Sequence, residues 1–202
     1  MFYIIQAAGW PIWLLLVASV IALALIIERL WYLRRKRILP SGLLEQAIRD
    51  YRDGRVDSAT INRFERNSPL GVVLATGLQH SDMSRDEMKE AMEDTGRTVA
   101  LQLERFLTTI GTIATLAPLM GLFGTVVGMI EIFGAQNAAG TNPAQLAHGI
   151  SIALYNTGFG LLIAMPTLIF YRHFRALVDS FLIEMERQSA RLVDAICFSR
   201  RT

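Results

Sequence analysis

Cysteine is nearly missing: Cys197 is the only one among 202 residues. That excludes a disulfide framework and any cysteine-built metal cluster. Proline at 6 and glycine at 15 are too few for a collagen-like or low-complexity chain. Charge is scarce, 19% against about 25% in soluble domains. Recognisable catalytic motifs are absent too: there is no H-E-x-x-H, no G-x-S-x-G and no G-x-x-x-x-G-K-[ST]. Gly158-Phe-Gly160 lacks the third glycine of a dinucleotide loop, and no apolar run contains the paired Asp that intramembrane aspartyl chemistry needs. The expectation is a protein that is not an enzyme, with no catalytic residue, cofactor or metal site. What is abundant is apolar surface, with 52% hydrophobic residues and a mean hydropathy of +0.35. The chain is built for lipid.

A bilayer core needs about 20 predominantly apolar residues in a helix, and three stretches qualify. The first is 10–27 (WPIWLLLVASVIALALII), followed by Glu28-Arg29 and then Arg34-Arg35-Lys36-Arg37. No Lys or Arg precedes it and no A-x-A-like site follows, so it reads as a span with a stop-transfer flank, not as a signal peptide. The second is 106–133, uncharged between Arg105 and Glu131, and the third is 150–171.

The formal charge of +2 hides an uneven distribution. All 20 Lys and Arg residues lie in 28–105 and 172–202. Cytoplasmic loops carry the positive excess, so 1–9 and the loop 134–149 are expected outside, and 28–105 and the tail 172–202 inside. Phe2, Tyr3, Trp10 and Trp13 then mark the outer interface, and Trp31 and Tyr32 the inner one. The basic run beside the first span is a topology and headgroup signal, not a nucleic-acid site.

The inner segment reads as helical. Leu44, Ala47, Ile48 and Tyr51 share a face ended by Gly54; a second helix around 58–64 stops near Asn67-Ser68-Pro69; an apolar piece spans 70–75. Ser84-x-x-Glu87 is a capping box. No turn signal separates Ser84 from Pro118, so one helix is expected to run unbroken into the second span. In the tail, Phe174, Leu177, Val178, Phe181, Met185, Leu192 and Ile196 form a stripe at helical spacing. It packs on its own chain or, alternatively, between copies. The fold class expected is an all-α membrane protein, three transmembrane helices extending into a helical cytoplasmic domain.

At about 100° per residue, Gly149, Ala153, Asn156, Thr157, Gly160, Ala164 and Thr167 fall on one face of the third span. Tyr155, Phe159, Leu162, Met165 and Ile169 fall on the other. In the second span Gly121, Gly124 and Gly128 share a face with Thr125 at its edge, and Thr108, Thr112 and Thr115 form another stripe. Small residues let membrane helices approach closely, and polar ones hydrogen-bond across the contact. Gly121, Gly124, Gly128 and Gly160 are therefore assigned to packing, and Thr125, Asn156, Thr157, Thr112 and Thr115 to a hydroxyl-lined path. Glu131 and His148, near the outer ends, are candidates for an entry vestibule. Proton relays in membranes normally contain Asp, Glu or His, and none lies in the middle of a span. A proton-moving protein of this sequence needs its membrane acid from another chain.

The run Ala117-Pro-Leu-Met-Gly-Leu-Phe-Gly-Thr-Val-Val-Gly-Met-Ile130, with Gly149-Ile-Ser-Ile-Ala-Leu-Tyr-Asn-Thr-Gly-Phe-Gly-Leu-Leu-Ile-Ala-Met-Pro166, resembles the ExbB/TolQ/MotA proton-channel family. Three spans look like ExbB and TolQ, whereas MotA-type stators have four; ExbB is the nearer likeness. The resemblance implies a bacterial inner-membrane homopentamer around a dimer of single-span ExbD- or TolR-like partners. It also implies use of the proton motive force to drive TonB-dependent outer-membrane transport or the Tol–Pal system. The family's two membrane threonines map onto Thr125 and Thr157, facing an aspartate on the partner. One departure is Ile152, where ExbB and TolQ sequences carry a glutamate; Asn156 is then the residue expected to hold water. The competing expectation is a passive membrane scaffold, and a third is a stator driven by sodium.

Overall fold

The computed structural model describes residues 10–134 and 143–200, without the side chains of 132, 143–146, 148 and 152. Phe2 and Tyr3, assigned above to the outer interface, lie outside the described residues. The order is α1 Pro11–Tyr32, α2 Arg35–Ile38, α3 Leu43–Arg52, α4 Ser58–Asn67, α5 Pro69–Gln79, α6 Arg85–Glu104, α7 Leu107–Gly134 and α8 Pro143–Ser199. Among the described residues there is no strand. This is an all-α protein with three helices long and apolar enough to cross a bilayer. It divides into two compact units, Met1–Glu28 with Phe106–His173, and Arg29–Arg105 with Phe174–Thr202.

In the first unit, Leu15 of α1 is buried against Ala117 of α7 and Ala164 of α8, with Met120, Phe159 and Ile163 packed around them. Trp10 adds an edge-to-face contact with Phe123, ring centroids 5.9 Å apart. Trp13, Val17, Val20 and Leu23 of α1, and Leu119, Leu122 and Val126 of α7, are exposed. An apolar exterior of this kind suits hydrocarbon, where each helix satisfies its own backbone. Pro118 and Pro166 sit inside α7 and α8 without ending either helix. A proline deprives one carbonyl of its donor, a loss that membrane helices tolerate when neighbours or water compensate.

The second unit is assembled by local capping signals. Asp57 caps α4 through the Thr60 amide at 2.7 Å. Ser68, with Pro69 at the first helical position, caps α5 through the Gly71 amide at 3.1 Å. Ser84 and Glu87 form the full capping box of α6. The hydrogen bonds from Ser84 hold the Glu87 carboxyl below its ordinary range. These caps orient α4, α5 and α6 so that Phe64, Leu70, Leu74, Leu78, Met88 and Leu103 are buried. The α8 stripe closes the same core: Phe174, Val178, Phe181, Met185, Leu192 and Ile196 are all buried within this one chain. Arg85 pairs with Asp194 at 2.8 Å. Arg200 donates to the carbonyls of Ser81, Asp82 and Met83 at 3.3, 3.2 and 2.6 Å, pinning the turn before α6.

Three expectations need correction. The helix expected to run unbroken from Ser84 into the membrane is two helices, α6 and α7. The break is at Arg105, whose ψ of 136° leaves the helix, and Phe106, whose φ is +66°. No glycine, proline or polar turn residue announces it. Second, α8 begins at Pro143, inside the segment expected to be loop up to 149. Third, Phe159 does not belong to the outward face, because it packs on the Leu15, Ala117 and Ala164 cluster. The left-handed backbone at Phe106 costs any residue with a Cβ about 1–2 kcal/mol. We therefore expect Phe106→Gly to be more stable than Phe106→Ala, the reverse of their order in a regular helix. Thermal unfolding of the two variants in detergent measures the difference; equal midpoints would show the backbone to be unstrained.

Candidate functional site: a threonine pair between close-packed helices

The site arises from where small residues recur. On α7 the sequence Gly111, Ala114, Ala117, Gly121, Gly124, Gly128 advances by three or four, and on α8 Gly149, Ala153, Asn156, Gly160, Ala164, Thr167 does the same. Residues so spaced share one face of a helix, and the two faces meet. A Cβ added to Gly160 would lie 2.6 Å from the Ala117 carbonyl oxygen and 3.0 Å from Gly121 Cα. One added to Gly121 would lie 2.7 Å from the Asn156 carbonyl oxygen. Backbone opposes backbone at both points, with no side-chain end free to yield. Gly128 is looser, its nearest neighbour being Ala153 Cβ at 3.5 Å. Asn156, 1% exposed, fills the space left by Gly124, where a Cβ would come within 2.9 Å of its own Cβ and Cγ.

This approach brings Thr125 and Thr157 together. Their hydroxyl oxygens are 2.5 Å apart. Thr125 Oγ1 also lies 3.1 Å from both the Gly121 and Ala153 carbonyl oxygens, and Thr157 Oγ1 lies 3.4 Å from Gly121 O. Each hydroxyl has one proton to donate and two lone pairs. One hydroxyl must donate to the other, and the second then donates to a carbonyl. Two orientations satisfy the geometry. Thr157 can donate to Thr125, which passes its proton to Gly121 or Ala153; or Thr125 donates to Thr157, which turns to Gly121. Reversal needs only two O–H rotations. Both residues are half-buried. The arrangement accepts a hydrogen bond, returns one, and can relay a proton without itself becoming charged.

The remaining expected site residues are placed differently. Thr112 and Thr115 are exposed on another face of α7, where Thr112 donates to the Thr108 carbonyl at 2.8 Å and Thr115 to those of Gly111 and Thr112 at 3.1 and 3.0 Å. Their hydroxyls are spent on their own helix and do not join the pair. Thr167 likewise donates to Ile163 O at 2.7 Å, though it is buried. Glu131 is exposed near the end of α7. The side chains of His148 and Ile152 lie outside the described residues. Two participants escaped the sequence reading: the carbonyls of Gly121 and Ala153. Backbone acceptors carry no residue signature; the i−4 spacing of Gly121 from Thr125 hints at the first, and no local spacing announces that Ala153 accepts from Thr125 across the helices.

An uncharged hydroxyl pair wedged between two close-packed membrane helices defines a class, that of polytopic helical proteins with a polar inter-helix contact at membrane depth. The chain belongs to the MotA/TolQ/ExbB proton channel family, whose pattern matches residues 65–187. It is similar to the biopolymer transport protein ExbB-like 3 of Synechocystis sp., 30% identical over 162 residues covering 79% of this chain and 77% of that one. It is also similar to biopolymer transport protein exbB1 of Vibrio cholerae, 27% identical over 168 residues, covering 80% and 73%. Against an ExbB homolog of Methanothermobacter thermautotrophicus, 27% identical over 161 residues, this chain covers 57% of the relative's length. It is thus a multi-pass membrane protein of a proton-channel family, nearest in kind to ExbB.

Proposed function

We propose that this chain is the channel-forming stator subunit of an inner-membrane complex that couples proton flow to TonB-dependent outer-membrane transport, acting as a transporter component and not as an enzyme. In this reading the amino terminus and the 134–149 loop face the periplasm, and 28–105 and 172–202 face the cytoplasm. Five copies surround an ExbD-like partner with one span carrying a membrane aspartate, and the partner moves a TonB-like protein. The observation that carries the reading is the Thr125–Thr157 pair. It provides a hydrogen-bond donor and acceptor at membrane depth where this chain has no titratable group of its own. The partner's carboxylate accepts a proton beside the pair and releases it as the hydroxyl chain reverses. Glu131 and His148 serve the outer approach.

The test is proton flux into vesicles holding this chain with its single-span partner. Flux is expected from the complex, with loss when the partner's aspartate becomes asparagine. Selective flux through this chain alone, without the partner, overturns the division of labour. Flux that follows a sodium gradient instead of a proton gradient overturns the choice of ion. A Tol–Pal role in the cell envelope uses the same site and differs in its partners. A passive scaffold predicts that function survives collapse of the proton gradient.

A further inference from the structure

Seven exposed basic residues of the second unit have carboxylate partners: Arg55 with Asp53, Arg63 with Asp50, Arg85 with Asp194, Lys89 with Glu93, Arg97 with Asp94, Arg175 with Glu104, Arg187 with Glu184. Arg49, Arg52, Arg66 and Arg191 are exposed with no carboxylate in ion-pair range among the described residues, but no two of them are adjacent in the chain. The run Arg34, Arg35, Lys36 and Arg37 is the contrast. All four are exposed, and among the described residues none is within ion-pair distance of a carboxylate. Glu184, whose carboxyl is held below its ordinary range by hydrogen bonds from Gln188 and Arg187, also feels the charge of Arg35, so the run is partly compensated. Four adjacent cations still repel one another, and an external anion relieves that repulsion.

The geometry is fixed. Leu33, Ile38 and Leu39, on either side of the run, are 4%, 0% and 7% exposed and anchor it in the core. Tyr32 lies between two guanidinium groups, Arg29 at 4.6 Å and Arg37 at 5.2 Å from the ring centroid. Arg29, 2% exposed, donates to the Leu103 carbonyl at 3.3 Å and ties the end of α1 to the end of α6. The run follows directly on a membrane-crossing helix whose last turn exposes Leu30 and Trp31, the latter 68% exposed. An exposed tryptophan there suits the interfacial layer of a bilayer, and cations just beyond it sit at headgroup depth.

We propose that Arg34, Arg35 and Lys36, with Trp31 beside them, form a preorganised docking platform for anionic phospholipid headgroups. Basic residues held at a membrane surface attract anionic lipid additively and lose that attraction to salt. Here the four cations are mounted on a buried anchor, so no ordering of a floppy segment opposes binding. The platform rests only on the bilayer placement of α1 and not on proton conduction.

The test uses the full chain in phosphatidylcholine vesicles containing spin-labelled phosphatidylglycerol or spin-labelled phosphatidylcholine, with the motionally restricted fraction read for each. Phosphatidylglycerol is expected to be restricted preferentially, and salt is expected to erase the preference. Arg34→Gln/Arg35→Gln/Lys36→Gln is expected to reduce it on the order of fivefold per charge. Arg34→Lys/Arg35→Lys keeps it, as does Arg52→Gln/Arg66→Gln, which removes two exposed cations on α3 and α4. A wild-type preference that survives high salt overturns the proposal without any variant having to fold. So does an unchanged preference in the folded triple variant, or an equal loss in the α3 and α4 control. Tighter binding of an acidic peptide than of the lipid would assign the platform to a protein partner and overturn it as well.

Discussion

Gly160→Ala is expected to destabilise the protein by roughly 1–3 kcal/mol and to disable the site, while Gly128→Ala leaves both almost unchanged. The added carbon at Gly160 would sit 2.6 Å from the Ala117 carbonyl oxygen and 3.0 Å from Gly121 Cα. Those are backbone atoms of a helix that moves only as a whole, so α7 and α8 must separate by most of an ångström. Separation falls directly on the 2.5 Å hydroxyl contact between Thr125 and Thr157, taking it towards the outer limit of a hydrogen bond. It also loosens Ala117 against Leu15 and Ala164. At Gly128 the same carbon meets Ala153 Cβ at an ordinary 3.5 Å. Thermal or denaturant unfolding in detergent, run on both variants, reads the difference. Equal stability of the two would mean that the helices are not held by this contact.

Thr157→Val should leave the fold almost intact and lower proton-coupled flux tenfold or more. Valine keeps the shape and removes the donor, and an inter-helix side-chain hydrogen bond within a membrane averages only about 0.6 kcal/mol. Thr125 keeps the Gly121 and Ala153 carbonyls as acceptors, so no buried donor is stranded. What disappears is the second orientation of the hydroxyl chain, and with it the relay. Thr125→Val removes the hydroxyl common to three of the contacts and is expected to be at least as severe. Because the two act as one unit, the double variant should lose no more activity than the worse single one. Thr157→Ser, which retains the hydroxyl, should recover most of the flux. Independent, additive losses would mean that the two hydroxyls serve separate steps.

Much of this site was legible from residue spacing. The gathering of Gly121, Gly124, Asn156, Thr157 and Gly160 on facing helices follows from small residues at intervals of three and four, because only such faces allow close approach in lipid. The capping box at Ser84 and Glu87 was legible for a similar reason, since a local hydrogen-bond pair needs only local sequence. Thr112 and Thr115 show the limit. Their spacing matched a polar stripe, but a threonine in a helix can satisfy its hydroxyl on its own preceding turn, and periodicity does not reveal which hydroxyls do so. Phe159 was misplaced because a helical wheel sorts side chains by angle only. A third helix, bringing Leu15, decides what lies inward. Arg29 read as a stop-transfer charge, yet it is buried on Tyr32 and the Leu103 carbonyl.

Hydropathy and the spacing of small residues by themselves determined the all-α class, the number of helices apolar enough to cross a membrane and the faces on which helices would meet. These are properties of single segments measured against a bilayer, and they need no knowledge of neighbours. The tertiary structure alone decided the 2.5 Å meeting of the two hydroxyls and the carbonyl that Ala153 offers to Thr125. Each depends on how far apart two backbones come to rest, a distance set by all the packed atoms together and encoded in no single residue.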